Sequence, residues 1–396
     1  MSEKNLDFNT VIDRRGSSCL KYDFAVERGH RADALPLWVA DMDFKTASCI
    51  QDALHALSDR GIYGYSETKA DYAETVAGWF LRHHGWKPET DWLVKTPGVV
   101  FALSCAILSY TEPGDAVLIQ RPVYYPFGGV IKKNGRRVIS SDLVLNEKTL
   151  RYEIDFKDFE AKIKAERVKL FILCNPHNPV SRVWSREELE KLGDICLKYG
   201  VIVVSDEIHC DFTFAGKHTV FASIKPEFAQ NCVICTAPSK TFNLASLLLS
   251  NIFIPNPDLR RTFSAQKEAL GLDQLGIFGI EACRAAYTHG DEWFTAVKSY
   301  IAGNIDYVRD FVREQLPGVR MIAHEATYLV WLDFRATGLT TDELEERIVN
   351  KANLWLDSGK IFGKLGAGFQ RINVACPRAT LTECMERIRR VLHSAS

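Results

Sequence analysis

Lys240 ends the stretch Cys235-Thr236-Ala237-Pro238-Ser239-Lys240, just after the apolar run Val233-Ile234-Cys235. The run reads as a buried strand. A lysine at its end is held near an anion, deprotonated by its surroundings, or covalently bonded. Covalent attachment to an aldehyde cofactor satisfies the last two readings. Two similar runs precede it. Val201-Ile202-Val203-Val204 leads into Ser205-Asp206-Glu207-Ile208-His209, and Lys169-Leu170-Phe171-Ile172-Leu173-Cys174 leads into Asn175-Pro176-His177-Asn178-Pro179. Three successive strands therefore end in Asn175/Asn178, Asp206 and Lys240. Taken singly, Asp206 reads as well as a helix N-cap and Asn178 as a turn former. Those readings leave the ordered placement of the three unexplained.

The intervening elements bring these ends together. Ser185-Arg186-Glu187-Glu188 carries the capping-box pattern, and Leu189, Leu192, Ile195 and Cys196 follow at the spacing of one helical face. Strand, helix, strand predicts parallel pairing with a right-handed crossover. Parallel strands share one carboxyl edge, where open α/β sheets bind ligands. The groups suit pyridoxal 5′-phosphate (PLP): Lys240 for the aldehyde, Asp206 to keep the pyridine nitrogen protonated, and the Asn178 amide for the phenolic oxygen. Thr96-Pro97-Gly98 opens the helix-like run Val99-Val100-Phe101. Its first amides, at Gly98, Val99 and Val100, make a phosphate cradle, although Thr-Pro-Gly alone also reads as a plain turn. Arg371, in the predicted strand Phe369 to Val374, requires a carboxylate partner if buried. That partner is either a substrate α-carboxylate or an internal Asp or Glu.

With these pieces in place, the chain resembles the fold-type I PLP enzymes of the aminotransferase class I/II superfamily, and within them the cystathionine β-lyase/carbon–sulfur lyase branch. The likeness rests on Ala40-Asp41-Met42-Asp43-Phe44, Gly64-Tyr65, Thr96 to Val100, Pro122 to Phe127, Asn175 to Pro179, Asp206 to His209, Pro238 to Asn243, and Phe369 to Asn373. It implies an α/β, PLP-dependent transferase-like fold. A large domain over 46–285 would hold a mostly parallel central sheet flanked by helices. A smaller discontinuous α/β domain would comprise 1–45 and 286–396. It further implies that Ser239 joins the phosphate cradle, that Tyr124 stacks on the cofactor ring, and that Tyr65 reaches the phosphate of a partner subunit in a homodimer with shared sites. Arg371 would take the substrate α-carboxylate. His209 stands where the superfamily often has tyrosine, placing it either on the cofactor oxygen or on Asp206. Two departures stand out. Ser181 replaces a usual glycine, and Ala245-Ser246-Leu247-Leu248-Leu249 replaces an Ala-Gly segment, with Leu248 where many aminotransferases hold phosphate with arginine. Fewer charges on the phosphate are therefore expected.

The implied reaction is α,β-elimination from a sulfur amino acid, giving a thiol, pyruvate and ammonia. Lys240 is the expected base, and Tyr65 or Lys240 the expected acid for the sulfur. Amino transfer is the alternative with the same residues, and a regulatory protein-binding role on a retained PLP fold is a third.

The chain has 396 residues, 46% hydrophobic and 25% charged, with a net charge of −1. That is room for two domains around a large core, and it gives no support to nucleic-acid or anionic-membrane binding. The first residues lack an apolar leader core, and the apolar region Gly98 to Tyr110 is too short to span a bilayer, so a cytoplasmic protein is expected. Eleven cysteines, several in apolar runs, read as buried free thiols. Cys232 and Cys235 fall on opposite faces of a strand, against a redox or metal pair. Asp41 and Asp43 read as turn formers rather than metal ligands. His83, His84 and His218 read as solvated or capping residues, with no metal expected.

Overall fold

The computed structural model describes residues 6–393. Its centre is a seven-stranded sheet. In chain order the strands are β1 (Leu93–Thr96), β2 (Ala116–Ile119), β3 (Arg137–Ser140), β4 (Leu170–Cys174), β5 (Ile202–Asp206), β6 (Cys232–Thr236) and β7 (Ser250–Phe253). Across the sheet they run β1-β7-β6-β5-β4-β2-β3. The pairs β3/β2, β2/β4, β4/β5 and β5/β6 are parallel, while β7 is antiparallel to both β6 and β1.

Every residue of β4 and β6 is buried, as a two-sided sheet requires. Alternate residues feed two separate cores. Cys232 and Ile234 join one cluster, Val233 and Cys235 the other, so the two cysteines do face opposite ways. All eleven cysteines are free.

The crossover between β4 and β5 is α2 (Arg186–Tyr199), following α1 (Val99–Tyr110), which packs on the other core. The predicted capping box at Ser185 and Glu188 is present. β4, β5 and β6 lie side by side in register, with Cys174 opposite Asp206 and Asp206 opposite Cys235. Their carboxyl ends therefore meet on one edge.

A second sheet of four strands is antiparallel throughout. It contains β8 (Arg320–Met321), β9 (Leu329–Asp333), β10 (Asp357–Ser358) and β11 (Phe369–Asn373), ordered β8-β9-β11-β10. The strand Leu35–Pro36 pairs in parallel with Leu354–Trp355, which ties the N-terminal arm to this part of the molecule. No helix among the described residues is long and apolar enough to cross a membrane.

α2 packs so closely that a Cβ on Gly193 would stand 2.3 Å from the ring of Phe228, itself buried. Gly193→Ala is expected to destabilise the protein by about 1–3 kcal/mol through overpacking. A lowered urea midpoint with an unchanged slope would show this.

Candidate active site

The common edge of β4, β5 and β6 opens into a cavity of about 240 Å³. Lys240 enters it from α3 (Pro238–Thr241), a single turn started by Pro238 directly after β6. Its Nζ donates to the carbonyl of Ala40 at 2.5 Å. The lysine is partly buried and lines the cavity. Burial lowers its pKa to about 8, with Arg371 adding to the shift and Asp41 and Asp206 opposing it.

Asp206, the last residue of β5, faces the same space. Its Oδ1 accepts from the amide of Ile208 at 3.1 Å. Burial raises its pKa to about 7, against the pull of that bond and of Lys240. Asn178 sits in the turn after β4, and the Tyr124 amide donates to its carbonyl at 3.0 Å, fixing both residues on the wall. His209 also lines the cavity. Burial pulls its pKa well below the usual imidazole value, so it is neutral, and among the described residues its Nδ1 has no hydrogen-bond partner. No hydrogen bond joins it to Asp206 among the described residues. Of the two placements read from the sequence, the one on Asp206 is not seen.

Gly98 precedes α1, whose first intrahelical bond runs from the Ala102 amide to the Gly98 carbonyl at 3.1 Å. No side chain caps this helix, so the amides of Val99 and Val100 are left for a ligand. A Cβ on Gly98 would meet no atom within 4 Å, so the space before the helix is open. Ser239 and Ser250 flank it, and Leu248 stands there 61% exposed, in the left-handed region at φ 51°. Ser250 is a cavity hydroxyl that sequence reading missed. Ser181 is likewise left-handed, at φ 57°, a conformation that explains glycine at that position.

Arg371 arrives from the second sheet. β11 places it directly opposite Asp357 of β10, and the two side chains form a buried ion pair. Its Nη1 donates to Asn178 Oδ1 at 2.9 Å and its Nη2 to the Trp38 carbonyl at 3.1 Å, while Nε is unpaired. Of the two partners considered from the sequence, the one present here is the internal acid, Asp357. A cross-strand partner 14 residues away has no local signature.

A strap of backbone, residues 38–44, runs beside the cavity, and Trp38, Val39 and Ala40 line it. Besides meeting Arg371 and Lys240, its carbonyls accept from Tyr328 Oη at Ala40 and from Asn373 Nδ2 at Val39 and Asp41. Asn243, three residues after the lysine, bonds both the amide and the carbonyl of Met42. Asp41 and Asp43 are not turn formers, as the sequence suggested. Arg14 meets them at 2.6 and 2.8 Å, and the buried Lys21 meets Asp43 at 2.8 Å and Asp41 at 3.4 Å. Their cations come from the N-terminal arm, which carries little periodicity to read.

The histidines also correct the sequence reading. His218 is buried and paired with Glu207 at 2.8 Å, and the His84 side chain is buried against Asp211 at 2.8 Å. Thr241, beside Lys240, donates to the same Asp211 at 2.5 Å. His84, Cys210 and Asp211 are close enough for a metal, but the oxygens of Asp211 already accept from His84, Thr241 and Trp79. Tyr65 lies outside the cavity and is 98% exposed.

Residues 33–388 match the family model for aminotransferase class I and II. The chain belongs to this family. It is 45% identical to cystathionine β-lyase PatB of Bacillus subtilis (strain 168), over 98% of this chain and all of that one. Among solved structures it resembles a PLP-bound putative aminotransferase from Clostridium difficile 630, with a TM-score of 0.95 and 42% identity over 98% of this chain and 100% of that one. It also resembles cystalysin from Treponema denticola, which contains PLP, with a TM-score of 0.94 and 38% identity over 98% and 99% of the two chains. The fold is thus the fold-type I architecture expected from the sequence.

In cofactor-free protein, the Lys240 amine is expected to become nucleophilic as pH rises through about 8 rather than 10.5. Acetic anhydride labelling, followed by peptide mass analysis across pH, reads this midpoint. Asp206→Asn, which removes an opposing anion, is expected to lower it further. A wild-type midpoint near 10.5 would contradict the burial argument.

Proposed function

We propose that the protein is a PLP-dependent carbon–sulfur β-lyase, releasing a thiol, pyruvate and ammonia from a cystathionine- or cysteine-like amino acid. The observation that carries this reading is the convergence of Lys240, Asp206 and Arg371 on one cavity, in a chain 45% identical to a cystathionine β-lyase.

The residues suit PLP end by end. The uncapped amides of Val99 and Val100, with Gly98, Ser239 and Ser250, would hold the phosphate. Asp206, buried and accepting only from the Ile208 amide among the described residues, would pair with the ring nitrogen. Asn178 turns its Oδ1 to Arg371, which leaves its Nδ2 to donate to the phenolic oxygen. The neutral His209, with its unpartnered Nδ1, is a second candidate for that oxygen. Tyr124 forms the ring wall. When bound, the cofactor supplies the electron sink for charge developing at the substrate Cα.

The protein's own groups then act as follows. Lys240 anchors the aldehyde end and, once the substrate amine has displaced it, takes the Cα proton. An amine held near pKa 8 is matched to that transfer near neutral pH. Arg371 turns its donors to the substrate α-carboxylate, which competes with Asp357 for them, and Asn178 keeps the guanidinium in plane. The departing sulfur takes its proton from Lys240 or from Tyr65 of a partner subunit. A homodimer with shared sites is supported by Tyr65 standing on the surface beside exposed Ile62 and Tyr63. The proposed division into a large domain, 46–285, and a small one, 1–45 with 286–396, is supported by the pairing of Leu35–Pro36 with Leu354–Trp355. Eleven free thiols suit a reducing, cytoplasmic setting.

Given cystathionine or cysteine, the holoenzyme is expected to yield pyruvate and a thiol in equal amounts, and little amino transfer to added 2-oxo acids. Lys240→Ala should lower the rate by about 10²–10⁴-fold or more. Amino transfer without pyruvate would favour the aminotransferase reading instead.

A further inference from the structure

Three rings form a column that starts from Trp38 in the cavity wall. His30 stacks on Trp355 with ring centres 4.6 Å apart, and Trp355 stacks on Trp38 at 4.5 Å and 13°. The guanidinium carbon of Arg28 lies 5.2 Å from the Trp38 ring centre. Trp38 is a wall of the cavity, and its carbonyl accepts from Arg371. Arg28 is exposed, and among the described residues no acid pairs with it. Its charge also acts on Tyr125, a half-exposed residue of the same wall.

An arginine with no acidic partner ordinarily extends into water. Packing over an indole holds this one beside the cavity wall, with its planar donors still free for an anion. Arg371 lines the cavity, and Arg28 lies outside its lining, packed on the Trp38 ring that forms part of the wall. A cation inside the cavity and a second beside it match a ligand with two carboxylates. A thioether of the cystathionine type has this form: an α-carboxylate near the reacting carbon and a second on the arm beyond the sulfur.

We infer that Arg28 recognises the distal carboxylate of a thioether amino acid and so favours it over substrates that end near the sulfur. This rests on the lyase reading above. Arg28 holds the leaving-thiol arm, touches no reacting atom, and acts on substrate binding. Because Arg28 is exposed to water, the preference is modest and falls with salt.

The test compares kcat/KM for L-cystathionine and S-methyl-L-cysteine, which lacks the distal carboxylate, in the wild-type holoenzyme and in Arg28→Ala and Arg28→Lys. Arg28→Ala is expected to lower kcat/KM for cystathionine about tenfold, through KM, and to leave S-methylcysteine within about twofold. Arg28→Lys keeps the charge but not the planar fork, and should fall between. Raising ionic strength should erode the wild-type preference for cystathionine and not that of Arg28→Ala. Turnover of both substrates with an unchanged ratio in Arg28→Ala overturns this inference alone. No turnover of either by the wild type overturns the lyase reading and this inference with it.

Discussion

The site depends on keeping an amine buried without neutralising it through a direct ion pair. Among the described residues no carboxylate is in contact with Lys240. Its Nζ rests on the Ala40 carbonyl, and the charges that shift it act at a distance. Burial pulls it to about 8, and the same burial raises Asp206 to about 7. The two shifts have opposite signs in pH. The Asp206 contribution to stability, its carboxyl being raised, is present below its ordinary value and lost as pH rises through about 7. The Lys240 contribution, its amine being depressed, is present above 10.5 and lost as pH falls through about 8. Around neutral pH the cofactor-free pocket therefore carries strain from both groups. A ligand that bonds the amine and pairs with the carboxylate relieves it.

Such a balance needs a fixed frame, and the strap at residues 38–44 provides it. One short segment touches Lys240, Tyr328, Asn373 and Arg371 through its carbonyls. It is pinned from outside by Arg14 and Lys21. Burial disfavours the Lys21 ammonium, and the charges of Asp43 and Asp41 more than reverse this. Removing one partner of such a buried group typically costs about 3–5 kcal/mol. The N-terminal arm is thus coupled to the geometry of the lysine although it contributes no reacting group. Behind the lysine, Thr241 ties α3 to Asp211 and His84, a second brace on the same turn.

Much of this was legible because the main groups end local patterns. Lys240, Asp206 and Asn178 each follow an apolar run, and parallel pairing converts those runs into one edge. Gly98 to Val100 open a helix whose apolar character is evident. What stayed hidden depends on register or on distance in sequence. Asp357 meets Arg371 only because β10 and β11 align them. Arg14 and Lys21 find Asp41 and Asp43 across twenty or more residues of mostly irregular chain. His84 and His218 look solvated by their neighbours in sequence, and only tertiary packing places acids against them. Tyr65 could be assigned only through the resemblance, since on its own subunit it faces solvent.

If the buried amine of Lys240 anchors PLP, borohydride reduction of the protein loaded with PLP, followed by proteolysis and peptide mapping, will find it. One labelled peptide is expected, carrying the cofactor on Lys240. Label on another lysine, or none at all in a protein that still eliminates thiol, would contradict it.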